Sequence, residues 1–318
     1  GFDVPAELVA TRRAPPSRVM VSTPGREMQV QGGHPSQVVE ASVEGVLAQL
    51  SQGDILVVNN TKVLKRRVFA ENGLEVLFLK QISTTQWEVL FPSARLKLGE
   101  VFVLKNNIHI KLIRKGRPQY VETSIELNES FFETYGELPL PPYIQKARGE
   151  RHNQKEDLAD YQTSWAAKPG SFAAPTASFH FTNPQLEALK ARGVKVVEVT
   201  LHIGLGTFLP VQADDLDKHT MHLESAFVKH NTWLEVLEAK PRGKKVWALG
   251  TTVVRTLESL AIHQIPKNSD GDFQGETGLL IQPGFEFQVV DVLMTNFHQP
   301  KSTLLALVCG FAGTQRVK

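Results

Sequence analysis

The chain has 318 residues, of which 42% are hydrophobic and 21% charged, and its net charge is +2; this composition is typical of a globular protein. No apolar run approaches the ~20 residues that cross a bilayer, and the first residues lack the basic-then-apolar pattern of a signal peptide. Cys309 is the only cysteine, which excludes intramolecular disulfides and CxxC-type metal sites, so we expect a cytoplasmic protein without a transmembrane helix.

The length favours two domains. Residues 1–63 have a mixed α/β pattern. Gly53-Asp54 predicts a turn, and the apolar residues 55–58 predict a short buried strand that ends at Asn59-Asn60-Thr61.

Residues 65–148 have a different pattern, that of a small antiparallel barrel or sandwich. Asn72-Gly73 is a hairpin signal between the first two strands of this segment. Short strands are predicted at residues 68–70, 74–79, 87–91, 101–104, 108–113 and 120–125. The proline-rich residues 138–143, near the end of this segment, predict a stiff extended stretch, because proline fixes φ and restricts the residue before it.

Positive charge is concentrated in this part of the chain. Residues 62–119 contain twelve Lys and Arg against four Asp and Glu, a net charge of +8 that leaves −6 on the remainder. A basic segment on a nearly neutral chain favours a polyanionic partner such as nucleic acid. Alternatively, these basic residues simply lie on a solvent-exposed face of the strands.

From about residue 160 onward, strands alternate with helices. Thr182 and Gln185 have the spacing of a capping box at a helix start, and Gly193 predicts the end of that helix. Strands are predicted at residues 194–201, 246–249 and 289–294, with helices after residues 250–252 and at residues 303–311. The predicted fold class is α/β: a discontinuous α/β domain with mostly parallel strands, residues 1–64 and 149–318, and an inserted small antiparallel β-barrel, residues 65–148.

Four loops lie where ligands bind in parallel α/β folds, beyond the carboxyl ends of strands. They are residues 173–181, 202–208, 250–252 and 295–302. All four combine small residues with hydroxyls, His or a cation, which predicts one shared crevice. Gly204-Leu205-Gly206 alone is a weak signal, because GxG often marks only a turn.

The histidines near these loops are the first candidates for chemistry. His180 and His202 are each predicted to end a strand, which favours acid–base or hydrogen-bonding duty. His219, His222 and Glu224 lack a standard metal-ligand spacing, so no metal site is predicted.

Two features of the predicted helix after residue 250 each have two possible interpretations. Thr251-Thr252 at its start either hold an anion or simply cap the helix. Arg255 and Glu258 lie one helical turn apart and either pair with each other or leave Arg255 to clamp a ligand carboxylate.

Eight stretches match one family in order along the chain. They are residues 53–61 (GDILVVNNT), 136–144 (GELPLPPYI), 161–163 (YQT), 173–182 (AAPTASFHFT), 200–210 (TLHIGLGTFLP), 219–222 (HTMH), 250–259 (GTTVVRTLES) and 295–303 (TNFHQPKST). Through them the chain resembles the S-adenosylmethionine:tRNA ribosyltransferase-isomerases of queuosine biosynthesis. The likeness covers nearly the whole sequence.

The resemblance implies an α/β domain with an inserted barrel and a tRNA-modifying activity. The ribosyl moiety of S-adenosylmethionine would move to 7-aminomethyl-7-deazaguanine at the tRNA wobble position and isomerise to give epoxyqueuosine, releasing adenine and methionine. S-adenosylmethionine is then a consumed substrate, and no metal or other cofactor is expected. The expected partner is tRNA with a GUN anticodon, for a monomeric cytoplasmic enzyme without membrane contact.

Roles for the loop residues are hypotheses that follow from this chemistry. His180 or His202 is the base, with Glu224 as a further candidate for proton transfer or orientation. The candidates for S-adenosylmethionine binding are Pro175, Thr176, Ala177, Gly204, Gly206, Thr207, Thr251, Thr252 and Arg255. Among them, Arg255 and Thr252 are expected to hold the methionine carboxylate. The candidates for tRNA binding are Lys65, Arg66, Arg67, Arg95, Lys97, His298 and Lys301.

The chain departs from the family pattern at several places. Asn60 replaces the usual Asp, Lys65-Arg66-Arg67 replaces Pro-Ala-Arg, and Ser178-Phe179 replaces Gly-Leu. Family members usually continue beyond residues 311–313 with an aromatic-rich, Asp-containing tail. These departures support an alternative, a relative that binds tRNA or S-adenosylmethionine without turnover. A hydrolase or aldolase ranks last, because no GxSxG is present and Lys301 is the only lysine at a strand terminus.

Overall fold

A computed structural model describes residues 18–22, 38–92, 96–204, 206 and 221–317. The chain divides into two compact units, residues 1–62 with 159–318, and residues 63–158. The strands are β1 Val19–Ser22, β2 Val38–Ala41, β3 Ile55–Asn59, β4 Thr61–Val63, β5 Arg67–Phe69, β6 Glu75–Gln81, β7 Gln86–Leu90, β8 Val101–Leu104, β9 Ile108–Arg114, β10 Gln119–Thr123, β11 Lys168–Ser171, β12 Lys195–Leu201, β13 Glu224–Val228, β14 Val246–Leu249, β15 Phe273–Thr277 and β16 Val292–Met294. The α-helices are α1 Val43–Leu47, α2 Glu129–Tyr135, α3 Pro142–Arg148, α4 Asp157–Asp160, α5 Asn183–Ala191, α6 His230–Ala239, α7 Thr251–Ala261, α8 Thr303–Ala312 and α9 Thr314–Val317.

The first unit is built on a mixed sheet with the strand order β15-β13-β12-β3-β14-β16. Strands β12, β3, β14 and β16 run parallel to one another, whereas β13 and β15 continue the sheet in antiparallel fashion. The α/β class with mostly parallel strands is therefore confirmed. Helix α5 begins at the predicted capping box of Thr182 and Gln185. Helix α8 begins at Thr303, as predicted, and Ser302 caps it by accepting from Leu305 N. Helix α7 begins at Thr251, after Gly250, which makes no side-chain cap bond.

Helices cover both faces of this sheet, because successive side chains of a strand point to opposite sides. Ile55 and Val57 of β3 belong to a core that includes side chains of α6, α7 and α8. Leu56 and Val58 point the other way, into a core formed with side chains of α1 and α5. Burial on both sides explains why β3 is an uninterrupted apolar run.

Strand β16 begins later than predicted. It covers Val292–Met294 rather than residues 289–294. The reason is Glu258, which is fully buried and accepts hydrogen bonds from the backbone N–H groups of Gln288, Val289 and Val290. Those donors are therefore satisfied by a carboxylate and not by a neighbouring strand.

The second unit contains an antiparallel six-stranded sheet with the order β5-β6-β7-β10-β9-β8. Its inner residues alternate along the strands, as Ile108, Ile110 and Leu112 do in β9. Glu71 N, just beyond β5, donates to Val103 O of β8 at 2.9 Å, which nearly closes the sheet into the predicted barrel. The predicted hairpin turn is also present, with Gly73 at a φ of 77°.

The proline-rich stretch at residues 138–143 is only partly extended. Pro141 is extended, with φ −54° and ψ 137°, but Pro142 begins helix α3, whereas residues 138–143 were predicted to be extended throughout. Proline is favoured at the first helical position because its missing N–H would have no partner there. Within the described ranges, none of the helices has the length and apolar composition needed to cross a membrane.

Candidate active site

The carboxyl ends of β3, β12, β14 and β16 lie at one edge of the main sheet because these strands are parallel. The fully buried Asn59 joins three of the elements at this edge. Its Nδ2 donates to Leu201 O at 3.0 Å and to Thr252 Oγ1 at 3.3 Å, and its Oδ1 accepts from Leu201 N at 3.1 Å. The end of β3 thus holds together the end of β12 and the start of α7.

His202 follows directly after β12 at this edge. Its Nδ1 lies 2.7 Å from Thr61 Oγ1, and a Cβ atom on Gly170 would come within 2.7 Å of the ring, Nε2 included. Glycine is also suited to this position because its φ is 152°. Burial lowers the pKa of His202, so the imidazole is neutral at pH 7 and able to accept a proton.

His180 does not end a strand, contrary to the prediction. It is the last residue of a 3-10 helix, Thr176–His180. Its Nε2 lies 2.6 Å from Asn296 Oδ1, and Asn296 Nδ2 donates to Thr176 Oγ1 at 3.1 Å. The first and fourth loops therefore meet through Asn296, while His180 Nδ1 is buried without a hydrogen-bond partner among the described residues.

Glu224 and Arg255 form a buried ion pair, with 8% and 5% exposure. The other Glu224 oxygen accepts from Gly204 N at 3.1 Å, and Arg255 Nε donates to Leu279 O at 3.1 Å. Pairing of Arg255 with Glu258 was one alternative, and it is wrong, because Glu258 binds the backbone N–H groups before β16. Across the described part of the chain, nothing accepts a hydrogen bond from the buried Arg255 Nη2.

The remaining predicted S-adenosylmethionine contacts lie close to these groups. A Cβ on Gly250 would lie 3.7 Å from both the Ala177 side chain and Thr252 Oγ1, so the first and third loops touch. Thr251 is buried, as is Pro175 before the 3-10 helix. Gly206 is exposed, and a Cβ there would lie 3.3 Å from the His222 ring. Thr207 lies outside the described residues.

The structure shows the contacts of the residues at two positions that depart from the family pattern, Asn60 and Ser178-Phe179. Asn60 Nδ2 donates to Glu198 Oε2 at 2.8 Å, and its Oδ1 accepts from Thr200 Oγ1 at 2.7 Å. The amide therefore sits beside a carboxylate that an Asp at position 60 would repel. Ser178 is completely buried, and Phe179 packs edge-on against Tyr161 at 6.2 Å between ring centroids.

Three predicted tRNA contacts in the second unit are already paired with carboxylates. Lys65 lies 2.8 Å from Glu133 and Arg66 pairs with Glu129. Arg67 is 1% exposed and donates to Glu137 Oε2 at 2.8 Å. Lys97, by contrast, is exposed, and Arg95 lies outside the described residues. Lys65, Arg66 and Arg67 of the predicted basic segment therefore do not form a continuous exposed surface.

The two predicted tRNA contacts on the fourth loop differ from each other. Lys301 is exposed. His298 is half-buried, and its Nε2 lies 3.1 Å from Thr295 Oγ1. Burial lowers the pKa of His298 to about 4, so this residue is uncharged at neutral pH and offers a phosphate no positive charge.

The low pKa of His298 predicts a loss of stability in acid. The folded pKa lies below the ordinary value of 6.5, so its contribution is complete above pH 6.5 and falls as pH drops toward 4. We expect a loss of roughly 1 kcal/mol, since solvent screens a half-buried group. Urea midpoints at pH 7.0 and 4.5 for wild type and His298→Gln measure it. Equal losses in the two proteins would contradict the prediction.

Asn59, Thr61 and Asn296 were not assigned roles from sequence. The signal for the first two was present, since polar residues directly follow the predicted buried strand at residues 55–58. Nothing in the sequence indicated that Asn296 contacts Thr176 and His180, 120 and 116 positions away. No cluster of three or more His, Cys, Asp or Glu side chains suited to a metal occurs in the described segments.

Comparisons with known proteins agree with this architecture. The family described as queuosine biosynthesis protein matches residues 1–318. S-adenosylmethionine:tRNA ribosyltransferase-isomerases are 39% identical in Parvibaculum lavamentivorans and 38% in Methylocella silvestris, each covering 100% of this chain and 91% or 90% of the relative. The crystal structure of an S-adenosylmethionine tRNA ribosyltransferase from Thermotoga maritima has a TM-score of 0.50 and 27% identity, over 99% of this chain and 90% of that one. The chain therefore belongs to the queuosine biosynthesis protein family.

Proposed function

We propose that this chain transfers the ribosyl moiety of S-adenosylmethionine to 7-aminomethyl-7-deazaguanine at the wobble position of tRNA and isomerises it, which gives epoxyqueuosine and releases adenine and methionine. The observation that carries this proposal is the identity of 38–39% with ribosyltransferase-isomerases over essentially the whole chain. Four strand-end loops that meet at one edge of the sheet are a suitable place for such a ligand.

His202 is the residue best suited to remove a proton. The sulfonium of S-adenosylmethionine acidifies the hydrogens on C5′, so a neutral base can take one and form an ylide. Burial keeps His202 neutral, and Thr61 orients its ring through Nδ1. That contact leaves Nε2 as the nitrogen for proton transfer. His180, with Nε2 held by Asn296, is the second candidate.

Arg255 is suited to hold the methionine carboxylate. Its Nη1 pairs with the Glu224 carboxylate, whereas the buried Nη2 has no hydrogen-bond acceptor among the described residues. A buried guanidinium N–H without an acceptor is costly, and a carboxylate supplies the acceptor. Thr252 Oγ1 and the backbone at Gly204 complete the ligand site in this proposal, with Glu224 fixing Gly204 N and Arg255 together.

No metal or organic cofactor takes part in this proposal, and S-adenosylmethionine is consumed. The proposed steps are proton transfers and the departure of adenine and methionine, which His, carboxylate and hydroxyl groups can assist. The enzyme acts as a monomer in the cytoplasm on tRNAs with a GUN anticodon, as the resemblance to its family implies. Activity that survives dialysis against EDTA supports the metal-free mechanism.

The decisive experiment incubates tRNA carrying the 7-aminomethyl-7-deazaguanine with S-adenosylmethionine. Release of adenine and methionine in equal amounts, with epoxyqueuosine in the tRNA, is the expected result. Methylated tRNA with S-adenosylhomocysteine, or no adenine at all, would reject the proposal. Binding of both substrates without adenine release would identify the non-catalytic relative, for which Asn60 gives little support because Glu198 retains a carboxylate beside it.

Lys97 and Arg67 are expected to respond differently to loss of charge. Lys97→Gln should weaken tRNA binding and reduce the slope of log Kd against log salt by about 1, because an exposed cation on a phosphate displaces one counterion. Arg67→Gln should leave that slope unchanged and instead lower the free energy of unfolding by roughly 1–3 kcal/mol, because it removes the hydrogen bond of a buried side chain to the partly exposed Glu137. Binding titrations at several salt concentrations and urea unfolding measure the two effects. The reverse pattern would place Arg67 at the RNA.

A further inference from the structure

One aromatic side chain on the fourth loop, residues 295–302, is exposed to solvent. Phe297 is 87% exposed, although its neighbours Asn296 and His298 are half-buried. A single exposed apolar residue is common on protein surfaces, so its meaning depends on how the loop is fixed. Asn296 bonds to Thr176 and His180, and His298 to Thr295. The ring is therefore presented at the edge of the site by anchored residues on both sides.

The same loop carries an exposed cation. Lys301 has a φ of 59°, in the left-handed region that side chains with a Cβ uncommonly adopt. Ser302 then caps α8 by accepting from Leu305 N at 3.2 Å. The loop thus offers one open ring face and one ammonium group. Proteins bind single-stranded RNA with this combination, because aromatic rings stack on unpaired bases and cations contact phosphates.

We propose that Phe297 stacks on an unpaired base of the tRNA anticodon loop while the wobble base enters the crevice. This inference rests on the proposed function, which supplies the single-stranded loop. Stacking on an aromatic ring tolerates any base, because every base has a π-face. Phe297 therefore contributes affinity for the anticodon loop, with little preference for the base that it contacts.

The test compares Phe297→Ala, Phe297→Leu and Phe297→Trp with Leu237→Ala. Leu237, on α6, is 46% exposed and lies outside the four loops. Direct tRNA binding without S-adenosylmethionine is measured first, then the KM for S-adenosylmethionine by adenine release. Phe297→Ala should weaken tRNA binding by about 10-fold. Phe297→Leu should be nearly as weak because it lacks a π-face, whereas Phe297→Trp and Leu237→Ala should bind like wild type.

Unchanged tRNA affinity in Phe297→Ala, or wild-type affinity in Phe297→Leu, overturns the proposal. A higher KM for S-adenosylmethionine with unchanged tRNA affinity also rejects it and makes the ring an adenine contact. Loss of a dimer in Phe297→Ala without loss of tRNA affinity rejects it in favour of a contact between copies. If wild type binds tRNA through Phe297 but releases no adenine, the stacking stands and the proposed function fails.

Discussion

His202→Ala is expected to lower the turnover number for adenine release by at least about 100-fold, the usual contribution of a positioned acid–base group. The reason is that His202 is kept neutral by burial, lies at the carboxyl end of β12 and is oriented by Thr61. The KM for S-adenosylmethionine should change much less, since the lost interaction belongs to proton transfer. Steady-state kinetics with precursor tRNA separate the two parameters.

Two controls sharpen this experiment. Thr61→Val keeps the imidazole but removes its hydrogen-bond partner, and a loss of roughly 10-fold is expected from misorientation alone. His180→Ala tests the competing base. The wild-type rate should stay constant as pH falls to 6.5 and decrease below it, because the pKa of His202 is lowered from that value. Wild-type turnover in both histidine variants would show that neither residue is the base.

Arg255→Met is expected to lower the free energy of unfolding by about 3–5 kcal/mol, because it leaves the buried Glu224 carboxylate without its counter-charge. Glu224→Gln should also destabilise, since it leaves the guanidinium unneutralised. The double variant should lose less stability than the sum of the two single variants, because no unpaired charge remains. Urea unfolding of the four proteins gives the coupling free energy.

An exposed pair elsewhere in the same unit provides the matched control. Arg242 and Glu238 lie 2.5 Å apart with side chains 59% and 54% exposed. Arg242→Met should cost less than about 1 kcal/mol, because water solvates the remaining carboxylate. If Arg255→Met and Arg242→Met destabilised equally, burial would not govern the contribution of the Glu224–Arg255 pair to stability.

Local patterns were sufficient for most elements of the fold. The capping box at Thr182, the hairpin at Asn72-Gly73 and the apolar run of β12 each depend on residues close together in the chain. The error at β16 arose because a distant side chain intervened. Glu258 shortened β16 by binding the backbone before it, and such a contact leaves no periodic pattern in the sequence.

The sequence by itself determined the α/β class, the antiparallel segment, the family and the loops that form the candidate site, because hydrophobic period, turn residues and motifs are properties of neighbouring residues. Only the tertiary structure decided which partner each polar group has. Arg255 pairs with Glu224 rather than Glu258, His180 meets Asn296, and Arg67 is buried and pairs with Glu137. A buried charge or hydrogen-bonding group needs a partner in space, and chain folding brings that partner from any distance along the sequence.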